Sequence, residues 1–264
     1  MRGVRWRTPI VAGSHPMTHT KRCKDEQVED HTELFDKLAA DAAKTWDEQI
    51  AAGRYLRGAM FLNAAKSSVR SGGYILDYGC GPGRISALLA RNGFRVLGRD
   101  PSPGMIDIAK QQSLEGLAVE FQPCSFAPSE MPSEAYDGIV CSSVIEYAPD
   151  PGEFLRMLYP ALRPNGVLII SFANRTSLFR AWHRLASMNK DHYLTARKHT
   201  WSWRQFRDLL DRNGFTSDAA QYFFSFFDNA GPLCFLSASR FWGGLGLAIA
   251  RKKGMFPDPG ASTL

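Results

Sequence analysis

The densest chemical signal in the chain is Ile75-Leu76-Asp77-Tyr78-Gly79-Cys80-Gly81-Pro82-Gly83. A short apolar run ends in an acid and passes into a loop with glycine at every second position. Glycine adopts backbone turns closed to other residues and lets a ligand approach the main chain. A helical pattern starts near Ile85, so its first N–H groups face the same loop. A dinucleotide fingerprint would read Gly-x-Gly-x-x-Gly and a phosphate loop would need Gly-Lys-Ser/Thr; this loop reads Gly-x-Gly-x-Gly and has neither. A second acid, Asp100, closes the next apolar run, 17 residues after Gly83. A carboxylate there can accept from both hydroxyls of a ribose.

These residues need a sheet to hold them. Short apolar runs at Tyr74–Asp77, Arg95–Gly98, Val119–Phe121, Asp137–Ser142 and Val167–Phe172 read as strands. Helical spacing fills the gaps: Ile85–Arg91, Met105–Gln112 and Glu153–Leu162, with Asn92-Gly93 and Arg163-Pro164-Asn165-Gly166 as stops. Strands alternating with helices predict a parallel sheet covered on both faces. Upstream, Glu33–Ile50 and Tyr55–Val69 read as helices. Downstream, a helix over Trp203–Asn213 precedes two strands, Phe215–Phe227 and Leu245–Ala250, which could pair as a hairpin at the sheet edge.

The chain has 264 residues, 44% of them hydrophobic and 22% charged, which suits one globular domain and argues against a mainly disordered chain. Its net charge of +6 is unevenly spread. Residues 1–24 carry six Lys/Arg and no acid; residues 25–174 carry 13 basic and 20 acidic residues; residues 175–264 carry 13 basic and six acidic. The basic flanks suit an anionic substrate or peripheral contact with a membrane surface, or are simply solvated. Five cysteines follow no disulfide or zinc spacing, which predicts a reduced, cytoplasmic setting. No run of about 18 uncharged apolar residues is present, so a spanning helix is not expected. Residues 1–30 are expected to be flexible, with Arg2, Arg5 and Arg7 among small and apolar residues and Met17 as an alternative start. The Pro/Gly-rich tail 254–264 is expected to fray.

Taken together, the glycine loop, Asp100, Met105-Ile106-Asp107-Ile108-Ala109-Lys110, Tyr136-Asp137-Gly138-Ile139-Val140 and Leu162–Ile170 resemble the class I S-adenosylmethionine-dependent methyltransferases, over about residues 34–252. The resemblance implies an α/β fold: a Rossmann-like seven-stranded, mostly parallel sheet with helices on both faces. To this it adds an N-terminal helical cap and an insertion after the fifth strand, at about 175–202. The domain itself would run over 31–253. S-adenosyl-L-methionine would be the cofactor and S-adenosyl-L-homocysteine its product. Asp77, Gly79, Cys80, Gly81 and Gly83 would hold its methionine end, Asp100 and Pro101 its ribose, and Met105 its adenine, with Ser125 and Ser142 as further cofactor-binding residues. The family often has an adenine-binding acid after the third strand; here the stretch is Gln122-Pro123-Cys124-Ser125-Phe126, and Ser125 is the candidate. Pro123-Cys124 is similar to the nucleophile pair of cytosine-carbon-5 methyltransferases but follows the third strand, so Cys124 reads as a packed thiol.

The segment after the fourth strand speaks to the acceptor. It lacks the Asn/Asp-Pro-Pro-aromatic motif of enzymes that methylate nucleic-acid amines, and no nucleic-acid partner is expected. Ser142–Asp150 resembles small-molecule methyltransferases, above all those of ubiquinone biosynthesis. Those carry Glu-x-x-Glu-His where this chain has Ser143, Glu146 and Tyr147; one carboxylate is too few for a hard cation, so no essential metal is expected. Transfer to a hydroxyl needs a proton acceptor, and Glu146, His192 and His199 are the candidates. Tyr147, Phe179, Trp182, Tyr193 and Trp201 are candidate walls for an aromatic acceptor. The reading is methyl transfer to a small, aromatic or secondary-metabolite hydroxyl. A small-molecule N-methyltransferase and a non-catalytic cofactor-binding scaffold are the rivals.

Overall fold

The computed structural model describes residue 44, residues 56–112, 114–124, 131–186, 199–223 and 238–254, with the side chains of 183–186 excepted. The order is α1 (Leu56–Ser68), β1 (Tyr74–Tyr78), α2 (Arg84–Arg91), β2 (Arg95–Asp100), α3 (Pro103–Lys110), β3 (Val119–Pro123) and β4 (Tyr136–Cys141). A 3-10 turn (Ile145–Tyr147), α4 (Pro151–Leu158), β5 (Leu162–Ala173), α5 (Leu178–Ala186), α6 (Trp203–Arg212), β6 (Phe215–Thr216), β7 (Ala220–Phe223) and β8 (Leu245–Lys252) follow. The cap helix expected over Glu33–Ile50 lies outside the described residues, Lys44 aside.

The sheet runs β3-β2-β1-β4-β5-β8-β6, with β7 also on β8. β1 to β5 are parallel, and β8 runs antiparallel to β5, β6 and β7. Chain order reverses between β1 and β4, where two neighbouring strands send their connections to opposite faces and open a crevice at their carboxyl ends. Alternation along the strands splits the core. Ile75, Val96, Val140 and Ile169 pack with Phe61 and Ala65 of α1 and with Ile85 and Leu89 of α2. Leu76, Ile139, Leu168 and Ile170 pack with Leu155 and Leu158 of α4 and with Phe206 and Leu210 of α6. On the second face, Phe172 stacks on Phe206 at 4.3 Å between ring centres.

Local chemistry starts several helices. Ser102 caps α3 and Asp150 caps α4, each followed by proline, and Ser202 with Gln205 closes a capping box on α6. Over 215–223 the strand expected as Phe215–Phe227 is broken into β6 and β7, and its end at 224–227 lies outside the described residues. Between them the Ser217 hydroxyl donates to the Ile249 carbonyl at 2.8 Å, so a side chain takes the place of a ladder N–H. β5 begins earlier than expected, at Leu162, and absorbs the Pro164-Asn165-Gly166 turn as a bulge: Asn165 has φ 64° and the β4 register shifts between Tyr136 and Gly138.

At the opposite end of the strands Asp137 receives Arg70 at 3.0 Å, Arg163 at 2.9 Å and the Tyr74 N–H at 2.8 Å. Burial alone would raise its carboxyl, but the bonds from Arg70, the Tyr74 N–H and Arg163 outweigh it and bring the pKa down to about 2. The stabilisation is therefore present above the ordinary carboxyl value of about 4 and is lost as pH falls from there toward about 2. Asp137→Ala is expected to cost about 1 kcal/mol at pH 7, chiefly from the stranded Tyr74 N–H, because both arginines stay in water. Urea midpoints at pH 7 and pH 2.5 check this: the gap between variant and wild type should shrink at acid pH.

Candidate active site

The glycine loop leaves β1 at the crevice. Gly79, Gly81 and Gly83 have φ of 75°, 53° and 74°, so each turns through the left-handed region. At Gly79 a side chain is excluded twice: a Cβ there would also lie 2.4 Å from Val144 Cγ2. At Gly83 it would lie 2.6 Å from the Phe121 ring. The N–H groups of Gly79 and Cys80 both donate to the Arg99 carbonyl, at 2.7 and 3.0 Å, and the Gln112 side-chain amide donates to the Pro82 carbonyl at 2.7 Å. The loop is thus clasped from β2, β3 and the end of α3.

Asp100 completes that clasp. One carboxylate oxygen accepts from the Gly81 N–H at 2.8 Å and the other from the Ser102 N–H at 2.9 Å. The Ser102 hydroxyl in turn accepts from the Met105 N–H at 3.1 Å. Pro101 is half-buried and Met105 is buried at the start of α3, beside Asp100 in the chain.

Asp77 points to the α2 face and is fully enclosed. Its Oδ2 accepts from the Ser86 hydroxyl at 2.6 Å, while Oδ1 has no hydrogen-bond partner. Burial pushes its pKa up, the Ser86 bond pulls it down and Asp100 pushes it up again, to about 7. The folded chain therefore favours protonated Asp77. That contribution to stability is complete below about pH 4 and is lost as pH rises to about 7. Asp77→Asn is expected to melt at higher temperature than wild type at pH 8, with the difference gone by pH 4, and to bind a cationic ligand less well. Melting curves across pH and ligand calorimetry test both halves. Burial, then Asp77 and Asp100, hold the Cys80 thiol well above its usual range, so it sits in the loop as a protonated thiol.

Across the crevice, the segment after β4 supplies Ser142, Ser143, Glu146 and Tyr147. The hydroxyls of Ser142 and Ser143 are shielded from solvent and have no hydrogen-bond partner. Glu146 and Tyr147 are buried in the 3-10 turn, an element the sequence did not announce. The His199 N–H donates to the Glu146 carbonyl at 3.2 Å, which brings a residue 53 positions away onto this turn. His199 Nε2 is shielded and unpartnered, and its ring stacks on Trp201 at 5.6 Å. Trp201 leans on Phe206 at 5.5 Å and is partly buried against the core of the second face.

The structure therefore brings Asp77, the glycines, Asp100 and Met105 together on one side, and Ser142, Glu146, Tyr147 and His199 on the other. Trp182 is not gathered into this group; it is 55% exposed on α5, one turn from Leu178 at 52%, and Phe179 is half-buried. Ser125, His192 and Tyr193 lie outside the described residues. Sequence reasoning missed Ser86, Gln112, Phe121, Ser171 and Asn174. Ser86, in the first turn of the helix after the loop, carried a usable signal; the others act across the fold. Asn174 is the most connected. Its amide donates to the Arg240 and Gly243 carbonyls, both at 2.7 Å, and accepts from the Thr176 N–H and hydroxyl at 3.1 and 2.9 Å, so every hydrogen-bonding position is filled.

An open α/β sheet with a glycine loop and two acids at its switch point defines a nucleotide-cofactor enzyme of the doubly wound class. The family model described as a methyltransferase domain matches residues 48–220, and the chain belongs to this family, the class I S-adenosylmethionine-dependent methyltransferases. It is 38% identical over 103 residues to a ubiquinone biosynthesis O-methyltransferase of Azorhizobium caulinodans, covering 39% of this chain and 41% of that protein. It is 32% identical over 165 residues to the one from Xanthomonas euvesicatoria pv. vesicatoria, covering 60% of this chain and 66% of that protein. The match thus spans about two fifths to two thirds of these relatives' lengths. Among solved structures, the Burkholderia thailandensis 1,6-didemethyltoxoflavin-N1-methyltransferase, with its substrate and S-adenosylhomocysteine, superposes with TM-score 0.59 at 19% identity. That alignment covers 91% of this chain and 93% of that one, and it shares the fold.

The residues present fit S-adenosylmethionine. The unpartnered Asp77 oxygen lies at the end of β1, at the base of the loop, and suits a cation; Asp100, tied to the loop, suits a ribose; the left-handed glycine run leaves the backbone open to close approach. Among the described residues no helix is long and apolar enough to cross a membrane.

Proposed function

We propose that this protein transfers the methyl group of S-adenosylmethionine to a hydroxyl of a small, aromatic acceptor. The single observation that carries this reading is the set of shielded, unpartnered polar atoms on the two sides of the switch point. Asp77 Oδ1 stands on the glycine-loop side, and Ser142 Oγ and His199 Nε2 stand opposite. Buried polar atoms without partners cost free energy, so such a grouping is expected where a polar ligand supplies the missing bonds.

The bound cofactor supplies an electrophilic methyl on a sulfonium. Asp77 and the loop glycines hold its amino-acid end, and Asp100 its ribose. Asp100, and Asp77 when ionised, would supply negative charge to favour a cationic cofactor. His199 Nε2 takes the proton of the acceptor hydroxyl as its oxygen is alkylated, and Glu146, on whose carbonyl the histidine backbone is pinned, orients it. Tyr147 and Phe179 wall the acceptor side. The ubiquinone-type relatives support oxygen as the methylated atom, and the free thiols Cys80, Cys124 and Cys141 support a cytoplasmic setting. Contact of the basic flanks with a membrane surface belongs to the same reading.

The test is turnover. S-adenosylhomocysteine formation is followed with parallel panels of phenols, catechols and aryl amines, and the methyl position in the product is read by NMR. Methylation of hydroxyl substrates alone supports the proposal. Methylation of amines alone overturns it in favour of nitrogen transfer. Tight cofactor binding with no turnover on any panel leaves a scaffold.

A further inference from the structure

Ser143 is one of three non-glycine residues with positive φ among the described residues, at 57°, and it stands directly after β4 at the switch point. A side chain with a Cβ disfavours that backbone, and strain of this kind persists where the surroundings impose it. Here the surroundings are identifiable. The Ser143 N–H donates at 2.8 Å to the hydroxyl of Ser171, a fully buried residue on the central strand β5. Serine is a polar choice in the middle of a strand whose neighbours Ile169, Ile170 and Phe172 are all buried and apolar. The strained backbone places the Ser143 hydroxyl where solvent does not reach it and where it has no hydrogen-bond partner, beside the equally unpartnered Ser142 hydroxyl. Two costs thus fall on one residue, a left-handed backbone and an unpaired buried hydroxyl, and no described residue relieves either.

Resting on the function proposed above, we infer that Ser143 is an acceptor-binding residue whose hydroxyl hydrogen-bonds a polar substituent of the methyl acceptor. Ser171 is then the positioning residue that holds it there. Serine at 143 can donate to or accept from an oxygen substituent, whereas the cofactor side of the crevice is already provided for by Asp77 and Asp100.

The test uses the full chain, catechol as probe acceptor and calorimetry with S-adenosylhomocysteine. Ser143→Gly removes the hydroxyl and relieves the backbone. It is expected to leave Tm unchanged or higher and cofactor Kd within about twofold, while KM for catechol rises about three- to tenfold, as for one lost hydrogen bond. Ser171→Ala is expected to lower Tm and raise the same KM. The double variant should have a KM no worse than Ser143→Gly alone, because the strut acts only through Ser143. An unchanged catechol KM in Ser143→Gly overturns the assignment, as does a change confined to cofactor Kd, which would give the hydroxyl to the cofactor. Additive effects in the double variant overturn the strut. Absence of turnover by the wild type, with cofactor bound, fails the functional reading itself and this assignment with it.

Discussion

Asp100→Ala is expected to weaken S-adenosylmethionine binding by about 100-fold or more, with only a modest fall in Tm. The carboxylate does two jobs. It accepts from the Gly81 and Ser102 N–H groups at 2.8 and 2.9 Å, joining the glycine loop to the start of α3 across the end of β2. It is also the group assigned to the ribose hydroxyls. Hydrogen bonds to a charged acceptor contribute about 1.5–3 kcal/mol each, and losing one to the ligand while loosening the loop reaches about 3 kcal/mol, or about 100-fold. Asn is not a safe replacement: its amide NH2 would face one of the two backbone N–H donors. The variant has a second signature. Asp100 raises the pKa of Asp77, so its removal should lower that value from about 7. Calorimetry with S-adenosylmethionine and S-adenosylhomocysteine, plus carboxyl titration by NMR, reads both effects. Binding within threefold of wild type would remove Asp100 from the cofactor site.

His199→Ala is expected to lower kcat for hydroxyl acceptors by about 100-fold, in the range typical of a lost general base, with cofactor affinity unchanged. In the proposed function the histidine serves the acceptor; its backbone N–H donates to the Glu146 carbonyl, away from the glycine loop in the chain. Its Nε2 is shielded and unpartnered, so truncation strands no hydrogen-bond partner of that atom. Loss of the ring stack on Trp201 lowers stability slightly. Single-turnover rates on phenols of graded acidity sharpen the test. The variant should lose least with the most acidic phenols, which give up the proton unaided. A uniform loss across the series would make His199 a packing residue, and Glu146→Gln would then be the next base to remove.

How far the chain could be read without coordinates depends on range along the sequence. The strand–glycine–helix unit at 74–91 was legible because its parts are adjacent: a short apolar run ending in an acid, three glycines in left-handed backbone and a helix start. The caps at Ser102, Asp150 and Ser202 are likewise short-range, each bonding an N–H two or three residues on. The strand expected at 215–227 failed for the opposite reason. Thr216-Ser217-Asp218 are turn-forming residues that the surrounding aromatics outweighed, and the break is fixed by the bond from Ser217 to a carbonyl on β8, 32 positions away. Trp182 was read as a pocket wall because aromatic residues cluster at 178–203, and an apolar helical stripe does not by itself say which way the helix is turned. α5 is pinned through the Ser177 hydroxyl to the Trp242 carbonyl and through the Leu178 N–H to the Phe241 carbonyl, and this leaves Leu178 and Trp182 outward.

The sequence by itself determined the class of fold, the family and its cofactor, because those depend on backbone conformations and charges encoded within short windows. Only the tertiary structure decided how the segment after β4 is arranged. Ser143 is held by Ser171 from 28 positions away, the Glu146 carbonyl accepts from the His199 N–H, and Asn174 joins the end of β5 to residues 240–244. Those contacts are made by packing between distant segments, and no local propensity records them.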